Sequence, residues 1–385
     1  MRPPAILGAL LLVGSQVVAG ADSEKKVVAV ERFGGAPSWT GPQKIQADGA
    51  GHVFLLRADT LEIYPLGKGG RLGEPTKLEA ASPINEPVLD AAMGPGGPGD
   101  WLLRLPQEVH WFVEGKEKPL PPLSWRPWGV GYIRSTPVVS VLPLPAPVNG
   151  IVVRRQGQEG PAAAPVVMAL DGDRWSPLVE VAWPEQRDTG SLTESCARLL
   201  LGDRAGKLWA ARTYGYVLER YSAAGRPLSK VLVDKGKVEH KLAKEAAVPS
   251  EVREADRGRF RPFLGMFKIS DLTEGLDHRI YLLVQAGKGD KGMYLDRYDP
   301  AQSLLERVTL GVQAEGMATL AAGRDGLYLV GHGGDQGRWR VSWELLDQAE
   351  WKPVLAEDDS APPRPKAVPA AKQPPAAKVA PPKPR

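Results

Sequence analysis

The sequence predicts an all-β fold, a β-propeller of six blades with four antiparallel strands each. A two-part phrase recurs, in which a turn-rich polar stretch leads into a short apolar strand and then into a second strand ending in an aromatic residue. Strand-like runs punctuated by Gly, Pro and Asp dominate, and few windows show a helical period. Recurrence of one supersecondary unit is typical of radially repeated β-folds. The phrase occupies residues 47–64, 202–221, 275–298 and 322–343.

Turn residues set the spacing of these repeats, and we expect each to precede the innermost strand of its blade. They are Gly49, Gly99, Gly150, Gly206, Asp277 and Gly326. A four-stranded blade with its loops takes roughly 40–50 residues, so six blades fit between Val27 and Val354. The repeats around 88–120 and 130–180 are degenerate and rich in proline, which leaves the count open by one blade.

The first element is a predicted signal peptide over residues 1–21. Arg2 supplies the positive start, an apolar stretch too short to span a bilayer follows, and Ala19-Gly20-Ala21 fits the small-residue cleavage pattern. No other segment is apolar enough to form a transmembrane helix, and no cysteine follows the cleavage region to carry a lipid anchor. The sequence therefore predicts a secreted or periplasmic protein.

Residues 22–356 form the predicted propeller domain. Residues 25–33 lie too far from the first repeat to belong to it, so we expect them to complete the last blade, beside Trp339–Leu345 or Trp351–Leu355. Such a closure removes exposed strand edges. A charged insertion at about 235–259 extends one inter-blade connection, and insertions of this kind often carry function in repeat proteins.

The C-terminal segment, residues 357–385, is predicted to be a disordered tail. Its last 25 residues consist almost entirely of Pro, Ala, Lys and Arg, with six positive charges and no negative ones. Without those six and Arg2, the chain's 49 basic residues fall to 42 against 45 acidic ones, a net charge of −3. The folded part therefore lacks the basic excess of a nucleic-acid-binding domain, whereas the tail could contact an anionic envelope surface.

Residues that could carry chemistry are sparse. The chain has one cysteine and five histidines, with no zinc-type spacing among them, so we predict no metal, no cofactor and no catalytic residue. His52 and His278 stand at matching turn positions just before a strand. This repetition favours a structural role in the turn over a ligand role.

Aromatic residues interleaved with arginine form the remaining signal, in SWRPWGVGY, RTYGYVLERY and RGRFRPF. Such residues often anchor protein or glycan ligands, although packing between blades also uses many Trp and Tyr side chains. The Pro and Gly residues of the first stretch argue against a strand interior there. With a histidine in a glycine-rich loop, the candidates are Trp125, Arg126, Trp128, Tyr132, Arg212, Tyr214, Tyr216, Arg261, Phe263 and His332.

Several motifs resemble the NHL and TolB-like six-bladed β-propellers. They are D-G-x-G-x-V-F at Asp48–Phe54, D-x-x-G-x-L-W at Asp203–Trp209, G-x-x-G-L-Y at Gly323–Tyr328, and L-x-R-Y at Leu218–Tyr221 and Leu295–Tyr298. The resemblance covers four of the six expected blades. Members include ligand-binding modules, protein-interaction platforms and enzymes such as lactonases and lyases, and fold alone does not choose among them.

The sequence thus favours an exported, non-catalytic binding or interaction module. Two alternatives stay open. One is a propeller enzyme of lactonase or lyase type that uses the central channel. The other is a structural protein of the cell envelope, held there by its basic tail.

Overall fold

The computed structural model describes residues 27–34, 43–145, 163–182, 197–212, 216–233, 268–285, 292–312, 318–331, 337–354 and 356–358. The predicted signal peptide, the charged insertion and most of the predicted tail lie outside the described residues. No helix in the described ranges has the length and apolar character needed to cross a bilayer.

Six four-stranded antiparallel units follow one another along the chain, which confirms the predicted six-bladed propeller. Blade 1 contains β3 (Gln43–Ala47), β4 (Val53–Arg57), β5 (Glu62–Leu66) and β6 (Thr76–Lys77), and blade 2 contains β7 (Asp90–Met93), β8 (Trp101–Arg104), β9 (Val109–Val113) and β10 (Lys116–Lys118). Blade 3 contains β11 (Trp125–Ile133), β12 (Thr136–Pro145), β13 (Ala163–Asp171) and β14 (Arg174–Ala182).

The second half of the ring repeats this plan with additions from the chain ends. Blade 4 contains β15 (Arg198–Gly202), β16 (Leu208–Arg212), β17 (Val217–Tyr221) and β18 (Pro227–Val233). Blade 5 contains β19 (Lys268–Glu274), β20 (Ile280–Gln285), β21 (Met293–Asp299) and β22 (Leu304–Leu310). Blade 6 contains β23 (Ala318–Gly323), β24 (Gly326–Gly331), β25 (Arg338–Ser342) and the N-terminal β2 (Glu31–Arg32).

The N-terminal strand closes the ring as predicted. Glu31 pairs with Arg340 and Arg32 with Trp339, so β2 becomes the outermost strand of blade 6. The closure is also packed, because Phe33 meets the ring of Tyr328 edge-on at a centroid distance of 5.2 Å. This contact belongs to the apolar cluster between blades 6 and 1.

Segments near both ends of the chain also pair with the outer strands of blades 4 and 5, which the sequence did not predict. The N-terminal β1 (Val27–Val28) runs parallel to β22 of blade 5. After β25, Ser342 caps a short helix, α1 (Trp343–Asp347), by accepting a hydrogen bond from the Leu345 backbone N–H, so the strand predicted to reach Leu345 ends earlier. Two short strands then pair backwards around the ring, β26 (Lys352–Pro353) with β22 and β27 (Ala356–Asp358) with β18.

In the described ranges the core is divided among six apolar clusters, one between each pair of neighbouring blades. Between blades 4 and 5, for example, Trp209 and Tyr298 pack edge-on with ring centroids 5.9 Å apart. This arrangement explains why the strands read as apolar on both faces, because each blade is covered by a neighbour on each side.

Two predictions about the strands are wrong. The turn residues, such as Gly49 and Gly206, lie between the first and second strands of a blade, so the innermost strand precedes the turn rather than following it. The stretch SWRPWGVGY, which was predicted not to lie inside a strand, forms most of the innermost strand β11, in which register shifts accommodate the Pro and Gly residues. The proposed turn at Gly150 lies outside the described residues.

Candidate functional site

The ring has two different ends. The innermost strands β3, β7, β11, β15, β19 and β23 contact one another in a closed circle around the axis. At the end where they finish, which we call the turn face, they connect to the second strands by short turns such as Asp203–Gly206. At the end where they begin, which we call the loop face, lie the connections between the second and third strands and between blades. Functional residues of repeat proteins are commonly found among such loops.

Each innermost strand places one residue at an equivalent ring position, four residues before the turn in the well-repeated blades. In blade order these ring residues are Lys44, Asp90, Gly129, Leu199, Asp271 and Thr319. The equivalence is visible in hydrogen bonds, because the N–H after one ring residue can donate to the ring residue of the preceding blade. Ile45 donates to Thr319 Oγ1 at 3.3 Å, Val130 to Asp90 Oδ2 at 3.0 Å, and Leu320 to Asp271 Oδ2 at 2.7 Å.

β-Bulges stand beside two of these ring positions. The pairing register shifts at Trp128, immediately before Gly129 in blade 3, and at Ser270, immediately before Asp271 in blade 5. Bulges redirect side chains and are common next to functional sites. The Ser270 hydroxyl is buried and has no hydrogen-bond partner among the described residues. In blade 3 the ring residue must be small, because a Cβ on Gly129 would lie 2.4 Å from the Arg198 carbonyl oxygen.

Opposite charges meet across the channel at this level. The buried Lys44 ammonium lies 3.7 Å from Asp90 Oδ1. Burial raises the pKa of Asp271 to about 7; the charge of Lys44 lowers it, the charge of Asp90 raises it, and two backbone N–H groups lower it. Asp271 is enclosed by protein yet keeps some solvent-accessible surface, as expected for a group that lines a narrow channel.

Two arginines extend this charged region between blades 2 and 3. Arg104, at the end of β8, is buried; its Nε donates to the Pro127 carbonyl at 3.2 Å, and its guanidinium lies 5.4 Å from the Trp128 ring centroid. Burial lowers the pKa of Arg104 to about 10, Asp90 opposes that shift, and the like charge of Arg126 adds to it.

These five charged residues are coupled through space and come from blades 1, 2, 3 and 5. We call them the mouth cluster: Lys44, Asp90, Arg104, Arg126 and Asp271. Arg104 and Arg126 stand at the loop-face ends of their strands, where β8 finishes and β11 begins. Among the described residues, no group of three His, Cys, Asp or Glu side chains is arranged to hold a metal ion.

The structure places part of the predicted binding set at the mouth cluster. Arg126 belongs to it and Trp128 lies beneath Arg104, while Trp125 packs against the core between blades 2 and 3; all three are half-buried. Arg212 stands at the loop-face end of β16, where its guanidinium pairs with Glu219 at 2.8 Å.

Two predicted aromatic residues are buried and face the core rather than a ligand. Tyr132 packs between blades 2 and 3. Tyr216, which adopts a positive φ of 44°, donates from its hydroxyl to Asp296, and Asp296 also accepts two bonds from Arg307. This link joins blades 4 and 5. The remaining candidates, Tyr214, Arg261, Phe263 and His332, lie outside the described residues.

The turn histidines have the repeated structural place that the sequence predicted. His52 Nδ1 lies 2.7 Å from Asp48 Oδ2, and His278 Nδ1 lies 3.1 Å from Glu274 Oε1. In each case the partner is four residues earlier, across the turn between the first and second strands. Both pairs stand on the turn face, at the opposite end of the ring from the loop-face mouth.

Sequence reasoning missed Lys44, Asp90, Arg104 and Asp271. Three of them lie on innermost strands that were not recognised as strands. A usable signal was present, because a polar residue four positions before the turn recurs in blades 1, 2, 5 and 6. It could be read only after the turn had been assigned to the end of the innermost strand.

No protein-family model and no curated protein matches this sequence. Among solved structures, the chain is similar to a streptogramin B lyase (12% identity, TM-score 0.44, 81% of this chain and 96% of that chain). It is also similar to a virginiamycin B lyase from Staphylococcus aureus (11%, 0.42, 81% and 98%) and to a protein of unknown function from Bacteroides thetaiotaomicron (9%, 0.47, 83% and 73%). Similarity at this level gives no argument about activity.

Proposed function

We propose that this protein is an exported ligand-binding module whose ligand contacts the mouth cluster at the loop face. One observation carries the proposal: five charged residues from four blades converge there, and their charges do not balance in pairs. Lys44 and Asp90 form an ion pair. Arg104, Arg126 and Asp271 remain, with the two arginines acting on each other as like charges. Buried charge is expensive to maintain without a compensating partner.

The fold requires only some of the charged residues in the mouth cluster. Asp90 and Asp271 each accept backbone N–H groups, which is a structural role. The arginine pair has no equivalent explanation, because Arg126 has no carboxylate partner among the described residues. Nearby, Trp125 and Trp128 keep part of their surface exposed. Arginine and tryptophan together are common anchors of protein and glycan ligands.

The test is a thermal-melting screen of the mature chain against short peptides, oligosaccharides, organic acids and organic phosphates. A ligand that binds only the folded state raises the melting temperature, and the rise grows with the ratio of free ligand concentration to dissociation constant. We expect at least one compound to stabilise the native protein and the control variant Arg174→Gln, whose arginine is exposed on blade 3, but not Arg126→Gln. If every stabilising compound acts equally on both variants, the mouth cluster is not the binding site.

An enzyme that uses the channel is the second candidate, and Asp271 favours it. A carboxyl group with a pKa near 7 can take up and release protons at neutral pH, and two backbone N–H groups hold this one in place. Incubation of each stabilising compound with the protein, followed by mass spectrometry, separates the two functions. Recovery of unchanged compound supports binding alone, whereas turnover that is lost in Asp271→Asn supports catalysis.

The proposed export rests on the N-terminal sequence and has its own test. The mature protein should begin at Asp22 and should be found in the periplasmic or extracellular fraction. N-terminal sequencing of the purified native protein checks both statements. A chain that retains residues 1–21 in the cytoplasmic fraction would contradict export without affecting the binding proposal.

A further inference from the structure

Among the described residues, neither arginine of the mouth cluster has a carboxylate at hydrogen-bond distance, unlike two arginines of blades 4 and 5. Arg198, which is fully buried in blade 4, has Glu219 at 3.0 Å, and Arg307 in blade 5 has Asp296 at 2.6 Å. Arg104 instead donates to a backbone carbonyl. Two charges act on it, that of Asp90 and, to a smaller extent, the like charge of Arg126.

Asp90 cannot neutralise both arginines. Its Oδ1 lies 3.7 Å from the Lys44 ammonium and also accepts the Ala91 N–H, while its Oδ2 accepts the Val130 N–H. One carboxylate therefore serves one lysine, two backbone donors and, at longer range, Arg104. Positive charge remains in excess on the side of the mouth where Arg104 and Arg126 stand.

The geometry of Arg104 is suited to recognition of an anion. Its Nε is fixed by the Pro127 carbonyl, and its guanidinium lies over the Trp128 ring. A guanidinium held in this way loses little conformational freedom when it binds an oxyanion, and its planar donors match carboxylate and phosphate groups. Arg126, whose buried Nε has no hydrogen-bond partner among the described residues, stands next in sequence to that carbonyl.

We infer that the Arg104–Arg126 pair binds an oxyanion of the ligand, a carboxylate or a phosphate group, beside the face of Trp128. This inference rests on the proposed function and specifies the chemistry of its ligand. The missing negative charge is supplied by the ligand, which explains why the chain places two arginines together without a carboxylate partner for Arg126 in the described ranges.

The test is calorimetric titration of the mature chain with inorganic phosphate and, separately, with citrate, against sodium chloride at equal ionic strength. We expect saturable binding of at least one of the two anions, and the comparison tells which group the pair prefers. Arg126→Gln should weaken that binding about tenfold or more, and the exposed control Arg174→Gln should leave it unchanged. Arg126→Lys should retain part of it, because lysine keeps the charge but loses the planar donors.

Circular dichroism and melting temperature without anion establish that each variant is folded. The inference is overturned if neither anion binds saturably, or if Arg126→Gln and Arg174→Gln bind alike. The proposed function can survive when this inference fails. If a neutral or cationic compound stabilises the native protein but not Arg126→Gln, the mouth cluster is the binding site but its ligand is not an oxyanion.

Discussion

The innermost strands of blades 4 and 5 occupy equivalent places in the ring but carry different side chains at the ring position. At the ring position blade 4 has Leu199, which packs into the apolar cluster between the two blades. Blade 5 has Asp271, whose Oδ1 accepts the N–H of Leu272 at 2.8 Å and whose Oδ2 accepts the N–H of Leu320 in blade 6 at 2.7 Å. The ring position therefore accepts an apolar or a charged residue, and of these two strands only the one with the charged residue has a bulge beside it.

This contrast shows what the ring aspartates contribute to the fold. Leu199 cannot accept a hydrogen bond, so the N–H that follows the ring position in blade 5 turns to its own aspartate. Blades 1 and 2 repeat this relation, because Lys44 also offers no acceptor and the Ala91 N–H donates to Asp90 at 3.0 Å. Each aspartate thus replaces an acceptor that the preceding blade lacks and also links its strand to the next blade.

The largest effect is expected for Asp271→Leu, which gives blade 5 an apolar ring residue like that of blade 4. Two buried backbone N–H groups would lose their acceptor, and an unsatisfied buried donor costs about 1–3 kcal/mol. Removal of a poorly solvated carboxylate offsets part of that loss. We expect the free energy of unfolding to fall by about 2–4 kcal/mol, measured by urea denaturation at pH 7.

Asp271→Thr is the matched control, because threonine is the residue at this position in blade 6, where its hydroxyl accepts the Ile45 N–H. It restores one acceptor, so its loss of stability should be about half that of Asp271→Leu. Equal stability of the native protein and both variants would mean that water satisfies these N–H groups, and the structural role assigned to the ring aspartates would be wrong.

A smaller effect is expected when the stability of Asp271→Asn is measured as a function of pH. Burial raises the pKa of Asp271 from 3.8 to about 7 in the folded state. The folded state therefore binds the proton more tightly than the unfolded state, and this contribution to stability is lost as pH rises from about 4 to 7. Between pH 4.5 and 7.5, the free energy of unfolding of the native protein should fall by about 2 kcal/mol relative to that of Asp271→Asn. This change lies within the limit for one titrating group, which is about 1.4 kcal/mol per pH unit.

The control for this titration is Asp171→Asn, at a carboxylate that is 69% exposed in the turn of blade 3. Its difference from the native protein gives the baseline for the same pH range. Denaturation curves at four or five pH values are sufficient. A flat difference for Asp271→Asn would show that its carboxyl group titrates normally and would remove the specific support for the enzyme alternative.

The sequence contained enough information for the blades but not for the channel. Second strands such as β4 and β20 are apolar runs that contain an aromatic residue, and the sequence predicts them as strands. Innermost strands such as β7 and β23 consist largely of alanine and other small residues, because the strands crowd together near the axis. Small residues have low β-propensity, and their strand character comes from neighbours on both sides rather than from their own sequence.

The same crowding explains why the site was only partly found. Trp125, Arg126 and Trp128 stood out because aromatic and arginine residues are conspicuous in any context. Lys44, Asp90 and Asp271 are ordinary residues in sequence, and they become related only when six strands from distant parts of the chain form a circle. Pairwise spacing along the chain carries no record of which residues face one another across an axis.

The smallest of these effects is expected for Thr319→Val, which tests the same hydrogen bond at the closure between blades 6 and 1. The side chain keeps its shape, but the 3.3 Å bond from the Ile45 N–H to Thr319 Oγ1 is lost. The expected loss is about 1 kcal/mol, because one neutral hydrogen bond is removed and only a single acceptor serves that donor. Hydrogen exchange of the Ile45 amide measures the effect locally: faster exchange at this site, with Val130 and Leu320 unchanged, is the expected pattern. Unchanged exchange at Ile45 would contradict the shared role of the ring residues, because the fold would then hold this N–H without an acceptor from the preceding blade.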